Sequence, residues 1–242
     1  MLLAVDIGNS AIKFGLFDGD NLTEKFSITT KRNSGSGEIK LDVGERMRDA
    51  ESAIVCSVVP EIGPAMSEFL RNVTGTDPIL VNNSFDFGLK INYQPLESLG
   101  TDRLVNIFAA VEKYGAPCIV CSLGTATTID VVNSDREFLG GIIAPGMDAM
   151  SEALRLKAPR LPTVAAQQPA NVLANSTEQS IQSGIYYGYV AMVEGLIERI
   201  RSESGTERVV ATGGNAGLPE IARMMTVDPD LLLSGLVKLS RR

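Results

Sequence analysis

Two stretches of the chain, LAVDIGNSAIKF at Leu3–Phe14 and IVCSLGTATTID at Ile119–Asp130, share one plan. Each is an apolar run, a glycine with small polar neighbours, and a second β-rich run, which reads as a strand, a tight turn and a returning strand. Asp6 closes the first apolar run and Ser122 holds the matching place in the second, 122 − 6 = 116 positions later in a chain of 242 residues. A repeat of nearly half the chain is most simply two similar α/β units with the same opening hairpin. With serine in place of aspartate, the second copy is either a working site that has lost one carboxylate or an echo of the first.

Further strand-like runs occur at SAIVCSVVP, DPILVNN and ERVVATGG, several ending on Gly or Pro. Helical periodicity lies between them. TDRLVNIFAAVEKYG repeats apolar residues at Leu104, Ile107, Phe108 and Val111 and stops at Gly115, and EQSIQSGIYYGYVAMVEGLIERI repeats them at Ile181, Ile185, Met192, Val193, Leu196 and Ile200. This mixture predicts α/β layers with partly parallel sheets. The boundary is expected near Tyr114 to Pro117, giving halves 1–114 and 115–242. KRNSGSGEIK reads as a solvated connection before a short charged helix, and KAPRLPTVAAQQPANVLAN, with three prolines, as a second loop.

Composition narrows the chemistry. The chain has no histidine, which removes Ser-His-Asp and Cys-His catalysis, His-ligated zinc and histidine general bases together. Proton transfer is left to Asp, Glu, Lys, Tyr or Cys. A net charge of −7 disfavours binding to a nucleic acid backbone, although backbone amides and a metal ion still allow a nucleotide. The first residues read as a strand rather than a signal peptide, no run is long enough for a membrane span, and three cysteines fit a reducing cytoplasm. Cys118 and Cys121 form a CxxC inside an apolar strand-like run, where residues three apart face opposite sides; this favours the core over a metal or redox site.

In DIGNSAIKFG the strand delivers Asp6 to its end, Gly8 permits close backbone approach, and Asn9 and Ser10 offer amides and polar side chains to phosphate oxygens. An ordinary hairpin turn explains this motif equally well by itself. A second glycine turn at LGTAT and a third at ATGGNAG, Ala211–Gly217, add weight, since paired β-turns can face each other and clasp a polyphosphate. In NYQPLESLGTDRL, Asp102 and Arg103 fall at a helix N-terminus with Thr101 as a candidate cap. Capping and complementing the helix dipole is one reading of the pair. The other gives Asp102 a hydroxyl proton to accept and Arg103 an anionic substrate to hold.

Taken in order, DIGNS, SVVP (Ser57–Pro60), NYQPLESLGTDR, LGTATTIDVV, GGIIAPG (Gly140–Gly146), ATGG and DPDLLLSGL (Asp228–Leu236) resemble the type III pantothenate kinases from end to end. The resemblance implies a duplicated ribonuclease-H-like fold of the actin-like ATPase class, with ATP and magnesium in a nucleotide cleft between the halves. It also implies a cytoplasmic homodimer that phosphorylates pantothenate on entry to coenzyme A synthesis. Carried over residue by residue, Asp6, Ile7, Gly8, Asn9, Ser10, Ala11, Ile12 and Lys13 form the first phosphate loop, with Asp6 near the magnesium, mostly through intervening ligands. Asp102 is the general base, Tyr93 with Gly100, Thr101, Asp102 and Arg103 lines the pantothenate pocket, and Thr125 contacts ATP. Thr177 matches a threonine that reaches pantothenate across the dimer contact, with Ser176 in place of the usual asparagine.

The family usually carries Asp-x-Gly-Thr-Ala where this chain has Ser122-Leu123-Gly124-Thr125-Ala126, and that aspartate is the family's ligand for potassium or ammonium. A neutral hydroxyl there is expected to bind such a cation weakly or not at all. The segment Thr29 to Ala50 is also shorter than the family's. A non-catalytic relative that binds nucleotide or pantothenate, and a hydrolase of the same superfamily, are the alternatives to an active kinase.

Overall fold

The computed structural model describes residues 1–43 and 45–242, and the chain divides into a first unit of Met1–Gly115 with Asp230–Arg242 and a second of Ala116–Pro229. In the first unit, β1 (Leu2–Ile7), β2 (Ala11–Asp18) and β3 (Asn21–Thr29) form an antiparallel meander, and β4 (Ser52–Ser57) and β5 (Ile79–Val81) extend it in parallel. The sheet order is β3-β2-β1-β4-β5. Period-two alternation sorts β1. Leu3, Val5 and Ile7 join Ile12, Phe14 and Leu16 of β2 in a core with α1 (Ser36–Val43) and α2 (Gly63–Thr74). Burying each such Leu, Ile or Phe contributes about 1.5–3 kcal/mol.

The other face of the same strands carries Ala4 and Asp6, opposite Gly15 and Lys13. It is covered by α3 (Thr101–Tyr114) and α7 (Leu231–Leu239), which pack on each other and on β1 and β4. A Cβ at Gly235 would lie 2.7 Å from that of Ala109, so glycine there sets how closely α7 approaches α3. The sequence division at 114/115 gave this last segment to the second half. The structure instead groups it with the first unit, because a helix buried on nearly every side needs the sheet face and α3 that the first unit offers. A short strand β6 (Lys90–Ile91) precedes α3, and KRNSGSGEIK is partly helical, since α1 begins at Ser36.

The second unit repeats the first. β7 (Cys118–Leu123), β8 (Ala126–Val132) and β9 (Glu137–Pro145) form the meander, and β10 (Val209–Thr212) and β11 (Thr226–Val227) run parallel beside β7. The bounds of β1 and β7 differ by the period read from sequence, 118 − 2 = 116 and 123 − 7 = 116. Ile119, Cys121, Leu123 and Ile129 pack against the long helix α5 (Thr177–Ser204) through Tyr186, Tyr189 and Val193; α4 (Met147–Lys157) and α6 (Pro219–Ala222) complete the unit. Both cysteines of the CxxC are buried strand residues, and burial pushes the Cys118 thiol up to about 11.

Candidate active site

Strand β1 carries Asp6 to the end of the face covered by α3 and α7, opposite Lys13 of β2 and Cys56 of β4. The carboxylate is 5% exposed and its Oδ2 lies 3.4 Å from Lys13 Nζ. Burial raises its pKa to about 6; the Lys13 ammonium opposes the shift and the Asp102 charge adds to it. Asp102 sits in the first turn of α3. Burial raises its pKa as well, opposed by the Arg103 amide, which donates to Asp102 Oδ1 at 2.9 Å, and by the Arg103 charge. Burial first, then these two carboxylates, drive the Cys56 thiol well above its ordinary value, so it is held as an inert thiol.

The turn Gly8–Ser10 is closed by the Gly8 amide donating to Ala11 O at 3.0 Å and is buttressed from the end of β3. Thr30 Oγ1 donates to Gly8 O at 2.7 Å, the Thr30 amide donates to Ser10 O at 3.1 Å, and Arg32 donates to Asn9 Oδ1 at 2.8 Å while pairing with Glu61 at 3.0 Å. Ile7 and Ile12 are core residues of the sheet, so the side chains this loop presents are Asp6, Asn9, Ser10 and Lys13. Thr30 and Arg32 carry no sequence signal for this role, because only the meander brings them to the loop.

At the start of α3, a Cβ on Gly100 would meet Asp102 Oδ1 at 2.5 Å, so glycine lets the carboxylate fold back over the chain. Arg103 is 5% exposed and its guanidinium lies 5.9 Å from the Tyr93 ring centroid, a cation–π distance that ties two of the residues singled out in sequence. Thr101 does not cap the helix: Gly100 is the N-cap position, and the Thr101 hydroxyl donates instead to Asn83 Oδ1 at 2.7 Å.

Within the second unit the LGTAT turn meets the ends of the GGIIAPG and ATGG motifs. The Gly146 amide donates to Thr125 O at 3.1 Å, and a Cβ on Gly146 would collide with Gly124 O. Gly213 has φ +95°, and a Cβ there would lie 2.6 Å from Leu123 O. The Thr125 side chain is exposed beside this cluster, and the buried Thr127 hydroxyl meets Tyr189 Oη at 2.9 Å beneath it. Ser122 stands opposite Thr128 of β8 and Thr212 of β10, so one sheet face carries a row of three hydroxyls. Among the described residues Thr128 Oγ1 is buried without a hydrogen-bond partner. Asp130 lies one residue pair away on the same face, opposite Val120, so the nearest carboxylate of β8 stands beside the hydroxyl row and not in it. Thr177 opens α5, fully on the surface, and Ser176 caps that helix by accepting from the Gln179 amide at 3.3 Å.

Residues 2–199 match the family model described as type III pantothenate kinase. The type III pantothenate kinase of Thermomicrobium roseum is 39% identical over 246 residues, covering 98% of this chain and 95% of the relative. This chain belongs to the type III pantothenate kinase family. Among solved structures, a conserved putative Baf family transcriptional activator from Campylobacter jejuni aligns at TM-score 0.62 and 20% identity, covering 99% of this chain and 97% of the other. A ROK family glucokinase from Streptomyces griseus, in complex with glucose and AMPPNP, aligns at TM-score 0.56 and 12% identity, covering 99% of each. At these identities the structures establish the fold, the duplicated α/β fold of actin-like ATPases and sugar kinases, which agrees with the repeat of β1–β5 in β7–β11.

In chemical terms, a carboxylate of raised pKa at a helix N-terminus is suited to accept a proton. A second, buried carboxylate with a raised pKa gains from a nearby cation. The hard oxygens of Asp6 fit magnesium, and among the described residues no group of three or more acidic or thiol ligands surrounds it. Such an ion would take its remaining ligands from phosphate and water oxygens, as is usual for magnesium on phosphates.

Proposed function

We propose that the chain phosphorylates pantothenate with ATP, and that Asp102 is the base. Pantothenate presents a primary hydroxyl whose oxygen attacks the γ-phosphorus; the bond to the β-phosphate oxygen breaks, ADP leaves, and the hydroxyl proton passes to Asp102. Asp6 would lie beside a magnesium ion on the phosphates, and that ion would supply charge neutralisation there. The amides and side chains of Asn9 and Ser10, with Lys13, hold phosphate oxygens. Arg103, kept in place by Tyr93, holds the pantothenate carboxylate, and Thr125 contributes a further ATP contact. The observation that carries this reading is the buried Asp6 carboxylate, 3.4 Å from Lys13 Nζ, with Asp102 at the start of α3 near enough for its charge to act on Asp6.

Ser122 offers a neutral hydroxyl where a carboxylate would hold potassium or ammonium more tightly, so weak binding is expected and turnover should depend little on either cation. The test measures ADP release with and without pantothenate across a potassium and ammonium titration, for the native chain and Ser122→Asp. Pantothenate-dependent release, flat in the native titration and cation-stimulated in Ser122→Asp, is expected. Release that ignores pantothenate would sink the kinase assignment, and cation stimulation of the native chain would sink the Ser122 reading.

The chain also self-associates, in this reading, through the exposed face of α5. Gly184 and Gly188 are exposed, and a Cβ at either would meet nothing within 4 Å, so packing within the chain does not require them to be glycine. Thr177 lies seven and eleven residues before them, on the same side of a helix of 3.6 residues per turn. Association through that face therefore brings Thr177 beside the second copy. Light scattering after size exclusion should give a dimer for the native chain and a monomer for Gly184→Leu with Gly188→Leu. A dimer retained by the double variant excludes this face.

A further inference from the structure

We infer that Asn83 is a positioning residue that fixes the loop bearing the general base and, through it, the reactivity of Asp102. Asn83 lies just after β5, 18 residues before Thr101, and is half-buried. Its Nδ2 donates to Leu96 O at 2.7 Å and to Leu99 O at 2.8 Å, and its Oδ1 accepts from Thr101 Oγ1 at 2.7 Å. Both donors and the acceptor of one amide are thus spent on one six-residue stretch. The reversed amide would set its oxygen against two carbonyl oxygens, so the network admits a single orientation.

The stretch it holds runs from the short 3-10 turn Leu96–Ser98 into the first residue of α3. Those two elements otherwise meet through Leu99 and Gly100, whose extended conformations leave the Leu99 carbonyl outside any helix. Asn83 supplies the missing donor there and clamps both ends, the carbonyls on the entering side and the Thr101 hydroxyl on the helix side. Asp102 is the next residue, folded over Gly100 with Oδ1 on the Arg103 amide. Its position is set by the backbone of residues 99–103, which Asn83 ties to the end of β5 through the Leu99 carbonyl and the Thr101 hydroxyl.

This inference rests on the kinase reading for its catalytic consequence but not for its structural one, and the experiment separates them. In Asn83→Ala, hydrogen exchange followed by mass spectrometry should quicken across residues 96–103 of the substrate-free protein while β1, β4 and α7 keep their protection. The ratio kcat/KM for pantothenate should fall on the order of 10²-fold, the scale of a misplacement of about 1 Å, while KM for ATP stays within about two-fold. Thr101→Val should reproduce part of the loss, and Thr101→Ser, which keeps the hydroxyl, should lose less than Thr101→Val. These two variants serve as well if Asn83→Ala does not fold. Exchange unchanged over residues 96–103 overturns the inference whatever the substrate. So does a rise in KM for ATP well beyond two-fold, or Thr101→Val indistinguishable from Thr101→Ser. Quickened exchange in an enzyme that ignores pantothenate leaves Asn83 as the clamp and removes the kinase reading instead.

Discussion

Asp102→Asn should lower kcat on the order of 10²–10⁴-fold, the usual contribution of a positioned base, and leave KM for ATP nearly unchanged. The amide keeps the size of the carboxylate and an oxygen for the Arg103 N–H, so the first turn of α3 stays as it is. What it loses is the capacity to take a proton. The variant should fold at least as well as the native chain, because burial disfavours the ionised carboxylate and an amide removes that penalty. The pH dependence gives an independent check. If Asp102 is the base, native activity should rise as it ionises, with the acidic limb displaced above the ordinary carboxylate range, and in the variant the residual rate should lose that contribution. A variant within about three-fold of native kcat would move the base elsewhere.

The repeat was legible because its signal is local: apolar alternation, a glycine turn and an equal offset for Asp6 and Ser122. β3 escaped because Glu24 takes one of its inward positions, although Leu22, Phe26 and Ile28 still turn their half-buried side inward as an edge strand does. β9 is read from sequence as the GGIIAPG motif and not as a strand, since two adjacent glycines weaken a β pattern. The structure gives Gly141 its reason: a Cβ there would collide with Asp130 and the Ile129 carbonyl. The unit to which α7 belongs cannot be read from DLLLSGLVKL, because an evenly apolar helix announces burial but not its neighbours. The same holds within the site. Asp6, Asp102 and Arg103 stand out by type and motif, whereas Thr30, Asn83 and Cys56 reach it only through strand order and register.

Asp6→Asn should pull stability and activity in opposite directions. In the native fold Asp6 has a pKa of about 6 against an ordinary 3.8, with burial as the main cause. An acid whose pKa is raised by folding stabilises the native state while protonated. That contribution is fully present below about 3.8 and is lost as pH rises through about 6. The difference, 6 − 3.8 = 2.2 units, corresponds to about 3 kcal/mol carried as strain by the ligand-free protein at neutral pH. An amide of the same shape has no charge to desolvate, and Lys13, nearly half exposed, gives up little on losing its partner. Asp6→Asn should therefore melt roughly 5–10 °C above the native chain at pH 7–8 without ligand. The gap should close as the pH is lowered towards 4. Turnover should nonetheless drop by roughly 10²–10³-fold, because the buried negative charge that a magnesium ion on the phosphates would relieve is gone. Stabilisation of the protein by magnesium and ATP should shrink with it. A variant that melts lower than native at pH 7–8, or one that keeps the native rate, would show that Asp6 is a structural partner of Lys13 and not a charge held in readiness for a cation.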